Sequence, residues 1–476
     1  MKAPAAQRRA VLVAATVALL GVAGTAWPVA AQPDIRPPGV PPPVNPAELP
    51  TAAEVNTMPY QVNNAVTQQI GPVEQIAPCV QRSAGSTVDV EAEPPNQQRL
   101  RIRQAHEFAT GHDQVVAVID SGVNQHPRLA GRQLDGGDYI ENRSGLFDCD
   151  GHGTAVAGLI AAAPDPATRF VGVAPAAKIL SIRQGSSFYS VPLRVVRTGE
   201  TLHNTIAGDT VSMAQAVVRA VALGATVINI SEAACFSAEP GQVNAPDLQA
   251  AVRHAVQRDV VVVVAAANVG DRCEQNPPGQ VTTISSPGWF DDDVLTVAAT
   301  DENGAAAPFS MRGPWVDVAA PGTGAVSLDV AGSGLTTVLA DADGERSTID
   351  GTSFATPYVA GLAALVRERF KNLTARQVMH RIERTAQAGP GGRSDEVGYG
   401  MIDPVAALTV VLPEERGSAA VPARPDQLQD LKVPQPDDPM ARKVALIGAA
   451  VAVGLLGLTL VVVHTVRWQR RHRPTR

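Results

Sequence analysis

The sequence predicts an α/β fold in which helices cover both faces of a mostly parallel sheet, and three observations lead there. Short β-branched runs recur: "VVAVID" from Val115, "RFVGVAP" from Arg169, "TVINIS" from Thr226, "VVVVAAAN" from Val261 and "VLTVAA" from Val294. Each is apolar for most of its length and ends in small or polar residues, the pattern of a strand buried on both faces. Helical stretches lie between them: "TAVAGLIAAA", "VSMAQAVVRAVALG" and "PDLQAAVRHAVQR". Strands alternating with helices in this way build parallel sheets.

The segments follow in order along 476 residues. Lys2, Arg8 and Arg9 precede "AVLVAATVALLGVAG" and "WPVAAQP". That charged, apolar and small-residue succession marks residues 1–31 as a signal peptide cleaved after Ala31, with a retained N-terminal anchor as the alternative. Residues 32–100 open with "QPDIRPPGVPPPVNPAELP" and are expected to form a Pro-rich extension without a fold of its own. The folded domain spans 101–412. Within it, residues 183–210 ("RQGSSFYSVPLRVVRTGETLHNTIAGDT") are polar and read as an exposed loop. Its last long helix lies in "NLTARQVMHRIERTA", where Thr374 and Gln377 form a capping box and Leu373 with Val378 a hydrophobic staple.

Residues 413–441 turn to Pro, Asp, Glu and Gln, the composition of a tether. Within 442–466, Val444 to Val463 carry no charge and are long enough to span a bilayer as a helix. The tail, 467–476, holds Arg467, Arg470, Arg471, Arg473 and Arg476. The positive-inside rule places that tail in the cytoplasm and the large domain outside, a single-pass protein of the cell membrane. A span without an intramembrane ionisable pair is unlike a transporter.

The formal charge of −7 offers no basic patch, so no nucleic-acid partner is expected. Cys79, Cys149, Cys235 and Cys273 lie in an exported domain, where disulfides persist. None stands in CxxC spacing, which argues against zinc, and the sequence does not choose among the three possible pairings. Asp291, Asp292 and Asp293 read as a solvated turn. No metal and no cofactor are expected.

The chemistry-bearing residues stand where strands end and helices begin, the usual place in open α/β sheets. Asp120 ends "VVAVID" before a Ser-Gly reversal; alone it reads equally as a turn cap. His152 lies between glycines in "DGHGTAVAGLI", with capping or metal ligation as its alternatives. Ser353 opens a helix in "GTSFATPYVAG", where exposed N–H groups and the dipole favour developing negative charge. Pro357 is expected to cost little there, in a first turn whose N–H groups have no partner. A serine becomes a nucleophile when a histidine takes its proton and an acid orients that histidine. Asn268 follows a strand and three alanines. His126, in "NQHPRL", is the competing histidine and reads as structural.

The order Asp, His, Ser in the contexts "VVAVIDSGV", "GHGTAVAGLI" and "GTSFATPYVAG" resembles the subtilisin-like serine proteases. The likeness runs from about Gln104 to Leu412 and takes in "VVVVAAAN" and "VAAPG". It implies a three-layer subtilisin-like fold with a central mostly parallel sheet. It also implies a serine endopeptidase with Asp120, His152 and Ser353 as its triad and Asn268 in its oxyanion hole. Ser231, Glu232 and Ala233, with Ala265, Ala266 and Ala267, would bind substrate. The short Pro-rich extension, the four cysteines and the C-terminal span further resemble the mycosins, membrane-anchored subtilisin-like proteases of type VII secretion systems. That resemblance implies disulfides Cys79–Cys149 and Cys235–Cys273. It implies exported protein or peptide substrates and the secretion membrane complex as partner. Its alternative is a mainly structural subunit stabilising that complex.

Overall fold

The N-terminal arm takes its structure from the strands and helices it lies against. The computed structural model describes residues 40–62, 67–81, 91–199, 201–239, 245–270, 273–389 and 391–415. The expected signal peptide and the apolar stretch Val444–Val463 lie outside them. Among the described residues no helix is long and apolar enough to cross a membrane. The arm contains helix α1 (Ala52–Val55), strands β1 (Thr67–Gln69) and β2 (Glu74–Gln75), and helical turns α2 (Pro95–Arg99) and α3 (Ile102–Ala105). Thr51 and Glu54 cap α1 reciprocally. The Tyr139 hydroxyl donates to the Val55 carbonyl at 2.7 Å, and the Gly208 N–H donates to the Tyr60 hydroxyl at 2.9 Å. Val55 and Tyr60 are buried by those contacts.

The domain continues with β3 (Val115–Asp120), β4 (Gln133–Asp138), α4 (His152–Ala161), β5 (Lys178–Arg183), β6 (Ser186–Val195) and β7 (Thr201–Ala207). Then come α5 (Thr210–Ala222), β8 (Val227–Ile230), β9 (Ala234–Ser237), α6 (Pro246–Gln257), β10 (Val261–Ala265) and β11 (Thr283–Ser286). β12 (Leu295–Thr300), β13 (Val318–Pro321), α7 (Thr352–Arg369) and α8 (Ala375–Thr385) follow. Among the described residues seven strands form the central sheet, in the order β13-β12-β10-β8-β3-β5-β4, and each neighbouring pair is parallel. Every residue of β8, β10 and β12 is buried, so both faces of the sheet are covered. α4 packs on α7, and α5 packs on α6. The chain leaves β3 first toward β5 and β4, then crosses to β8 on the other side. The carboxyl ends of β3 and β8 therefore flank the crevice where this class of sheet binds ligands.

Two expectations need correction. "RFVGVAP" is not a strand. Its Gly172, Val173 and Ala174 N–H groups donate to Ala162, Leu159 and Ile160 carbonyls, the unsatisfied end of α4. The apolar composition serves that burial, and the true strand, β5, begins three residues after Pro175. Residues 183–210 are not a loop either. They form the hairpin β6–β7, and β6 pairs on its other side with β1 and β2 of the arm. Phe188, Tyr189, Val191 and Leu193 are buried beneath it. Pro192, which cannot donate to a ladder, sits where the β6–β7 register shifts. The capping box at Thr374 and Gln377 forms as expected.

The arm is also held covalently, since Cys79 and Cys149 are bonded across a sequence separation of 70. A crosslink of that length stabilises by about 4 kcal/mol in the chain-entropy account. Replacing both cysteines by alanine should lower the unfolding free energy by about that much, read from denaturant melts of the full-length chain; an unchanged midpoint would show that the crosslink adds nothing to the contacts the arm already makes.

Candidate active site

Four segments bring their ends to one cleft, each for a local reason. Asp120 is the last residue of β3 and is wholly buried. The chain then turns at Gly122, whose φ is +108° and where a Cβ would fall 2.1 Å from the Phe147 carbonyl oxygen. Only glycine fits that turn. Asp120 Oδ1 accepts the Ser121 N–H at 2.8 Å and the His152 Nδ1–H at 2.7 Å. Because a carboxylate only accepts, Nδ1 carries the proton and Nε2 is left as the basic nitrogen.

His152 opens α4 after Gly151, which has φ +84° and no side chain to cap the helix. Asp148 takes that task. It accepts the Asp150, Gly151 and Thr154 N–H groups at 3.1, 2.8 and 2.9 Å and the Thr154 hydroxyl at 2.6 Å. The Ser121 hydroxyl donates to Asp148 at 2.9 Å and accepts the Gly153 N–H at 2.9 Å, joining the ends of β3 and α4. Neither Asp148 nor Ser121 stood out in the sequence. The signal was an acid three residues before Gly151, where a helix with a glycine N-cap lacks a donor's partner.

Ser353 lies in the first turn of α7 and is 8% exposed. A Cβ on Gly351 (φ +153°) would stand 2.9 Å from Ser353 Oγ and 3.2 Å from Asn268 Nδ2, so hydroxyl and amide converge over that glycine. The Asn268 amide is oriented from behind: its Oδ1 accepts the Thr352 N–H at 2.9 Å and the Thr352 hydroxyl at 3.0 Å. Ala267, just before it, is held at φ +84°, a strained conformation for a residue with a Cβ. Pro357 lies deeper in the helix than the first turn, and it removes the donor that Ser353's carbonyl would normally receive. The Ser231 hydroxyl supplies that hydrogen bond instead, at 2.8 Å, itself held by Asn229 at 2.9 Å.

The cleft has a volume of about 540 Å³ and is lined by His152, Ser353, Asn268, Ser231, Glu232 and Ala233, among others. Ala265, Ala266 and Ala267 are buried and do not line it. The Phe354 ring packs 4.8 Å from the imidazole. Asp150, Glu232, Asp341 and Asp350 also face the cleft, and among the described residues no Lys or Arg does. Burial opposes the imidazolium of His152, but the charge and hydrogen bond of Asp120, with Glu232 and Asp148, raise its pKa to about 9. Burial and the neighbouring Asp150 raise Asp148 to about 6.

His126 is elsewhere, buried in a separate cavity, where its Nδ1 accepts the Arg128 N–H at 3.1 Å and burial lowers its pKa. The cysteines pair as Cys79–Cys149 and Cys235–Cys273. Asp293 accepts from Arg253 at 2.5 Å and Arg376 at 2.6 Å, while Asp292 is solvated. Among the described residues no group of three or more His, Cys, Asp or Glu is arranged to hold a metal ion.

Residues 111–400 match the subtilase family. Mycosin-3 of Mycobacterium tuberculosis is 41% identical over 426 residues, covering 85% of this chain and 90% of its own length. The crystal structure of MycP1 from Mycobacterium smegmatis superposes with a TM-score of 0.69 at 38% identity, over 81% of this chain and 99% of that one. A chain of the intact ESX-5 inner membrane complex is 34% identical with a TM-score of 0.67, over 89% and 99%.

Gly351→Ala tests the convergence of hydroxyl and amide. The added methyl stands between them, so reaction of Ser353 with a fluorophosphonate should slow on the order of 100-fold, as for a comparable misplacement of reacting groups. The φ of +153° also strains any Cβ there and lowers the melting midpoint, so the rates are compared at a temperature where both proteins are folded. Labelling at the original rate would mean that the cleft has room the geometry denies.

Proposed function

The chain belongs to the subtilase family and, within it, to the mycosins, and is a subtilisin-like serine protease; from that premise we propose that it is an endopeptidase working through Asp120, His152 and Ser353. Ser353 Oγ attacks a peptide carbonyl while His152 Nε2 takes its proton. The same nitrogen then gives that proton to the leaving amine, and water resolves the acyl-enzyme. Asp120 holds the tautomer, and the Asn268 amide with the Ser353 N–H receives the oxyanion. The observation that carries this reading is the meeting, in one cleft, of a 2.7 Å Asp–His pair with a helix-opening serine and an oriented amide.

Its substrates are exported proteins of a type VII secretion system, and its station is the outer face of the cell membrane. Val444–Val463 is the anchor, and the arginine-rich tail is cytoplasmic. The relative within the ESX-5 inner membrane complex supports a second role, as a subunit that stabilises such a complex. Both roles fit one chain, because the cleft occupies a small part of its surface.

Treating the full-length chain with a fluorophosphonate and mapping the adduct tests the first role. Label should appear on Ser353 and vanish in Ser353→Ala; a folded wild type that takes no label would leave the stabilising role in its place. The pH profile follows from the histidine. His152 accepts a proton only when neutral, and its pKa is raised to about 9. kcat/KM should therefore rise with pH through that value and fall about tenfold per unit below it. A profile already flat above pH 7 would contradict the charge environment described.

A further inference from the structure

Beside the cleft lies a smaller recess, about 130 Å³, that shares Gly208, Glu232 and Ala233 with it. None of Asp120, His152, Ser353 or Asn268 lines it. We infer that this recess receives a lysine or arginine side chain of the substrate, with Glu232 as its ion-pair partner, so that Glu232 sets specificity at a position away from the scissile bond. The inference deepens the protease reading and rests on it.

The first argument is the state of Glu232. Its carboxylate is seated over Gly185, where a Cβ would stand 2.5 Å from Oε2. Among the described residues it makes no hydrogen bond and no ion pair. Burial raises its pKa well above the usual carboxylate range, and the charges of Asp120 and Asp150 raise it further; His152 alone opposes them. An acid so placed is poorly compensated until a cation arrives.

The second argument is independent of that charge. Gln184, 1% exposed, spends its amide N–H groups on the Asp209 carbonyl at 3.1 Å and the Ser212 hydroxyl at 2.8 Å. Its Oε1 faces no donor, and the Ser286 hydroxyl, also 1% exposed, has no partner. Both residues line the recess. Buried acceptors without donors are rare in folded proteins. An ammonium brings three donors and a guanidinium five, on stems that suit the apolar walls of Met213 and Leu248. No Lys or Arg of the described chain lines the recess to take that place. A norleucine side chain would fill the walls and leave the acceptors unpaired, and a glutamate would be repelled.

The test uses the full-length chain and tetrapeptidyl-coumarin amides that carry lysine, norleucine or glutamate at one position at a time on an alanine background. At one position other than that bonded to coumarin, kcat/KM for lysine should exceed that for norleucine by at least roughly tenfold, with glutamate lowest. In Glu232→Gln, nearly isosteric, the lysine advantage should shrink to less than about threefold. Removing this charge also lowers the basicity of His152, which Asp120 and Asp148 continue to raise, but that change is common to all peptides and leaves the ratio untouched. Gly185→Ala, which displaces the carboxylate without removing it, should reduce the ratio too. Equal rates for lysine and norleucine at every position, or a ratio preserved in Glu232→Gln, would overturn the inference. If turnover is too slow to measure, binding of the same peptides to Ser353→Ala gives the ratio directly. Absence of fluorophosphonate labelling would count against the protease reading alone.

Discussion

The 2.7 Å hydrogen bond between Asp120 and His152 sets a backbone constraint on which the rest of the site depends. It requires the end of β3 and the start of α4 to approach more closely than side chains allow. A Cβ on Gly153 would fall 2.0 Å from the Gly122 carbonyl oxygen and 3.1 Å from Asp120 Oδ1. Glycine at 122 and 153 is thus a condition for the pair to form, before any electrostatic advantage is counted. Ser121 and Asp148 then fix the approach with hydrogen bonds to the freed N–H groups. Ser353 comes from a different part of the chain, yet it is tied to the same sheet. Pro357 frees the Ser353 carbonyl, and Ser231, directly after β8, occupies it. The helix thereby gains a side-chain link to the sheet in place of a backbone bond.

Around that centre the arm and the hairpin act as one brace. Asp150, two residues before His152, accepts the Ser186 hydroxyl at 2.5 Å and the Ser187 N–H and hydroxyl at 2.7 and 2.9 Å. Those serines begin β6, which is clamped between β7 and the arm's strands. Cys79–Cys149 fastens the same arm to the residue before Asp150. The arm therefore reaches the loop before His152 by a covalent route and by a hydrogen-bonded one. Cys235–Cys273 does the equivalent on the far side, bonding β9 to the segment beyond Asn268.

The strands bearing the site were legible because a strand buried on both faces is apolar along most of its length, and Asp120, Asn229, Thr296 and Thr300 are the only polar residues of β3, β8, β10 and β12. Asp120 stood out at the end of β3, Asn268 just beyond β10, and His152 and Ser353 at the starts of α4 and α7, each beside small residues. "RFVGVAP" was misread because burial alone does not distinguish a strand from a segment capping a helix; the carbonyls of α4 decided it. β6 was missed because its partner strands β1 and β2 lie more than 100 residues upstream and because Ser and Pro interrupt its pattern. Pro357 was misplaced by counting its helix as if it began later. Of the recess, the sequence pointed only to Glu232 and Ala233, through the family resemblance; Gln184 and Ser286 lie near the ends of two other strands and left no trace.

The acidic groups of the site show how one kind of charge performs opposite tasks. Asp148 and Glu232 both flank His152, both raise its pKa, and both have their own raised by burial. Asp148 receives donors from Ser121, Asp150, Gly151 and Thr154, so its charge is consumed in holding the start of α4. Glu232 receives none among the described residues. A carboxylate with satisfied lone pairs is inert toward ligands, because any newcomer must displace a hydrogen bond already made. One without them gains the whole of a new charge-assisted bond. Asp148 is buried and satisfied by backbone N–H groups and by the Ser121 and Thr154 hydroxyls, whereas Glu232 is half-buried and meets no such donors among the described residues. At Asp148 a helix N-terminus turns its N–H groups toward the acid. At Glu232 the carboxylate lies over Gly185, whose missing side chain leaves it space and supplies it no donor.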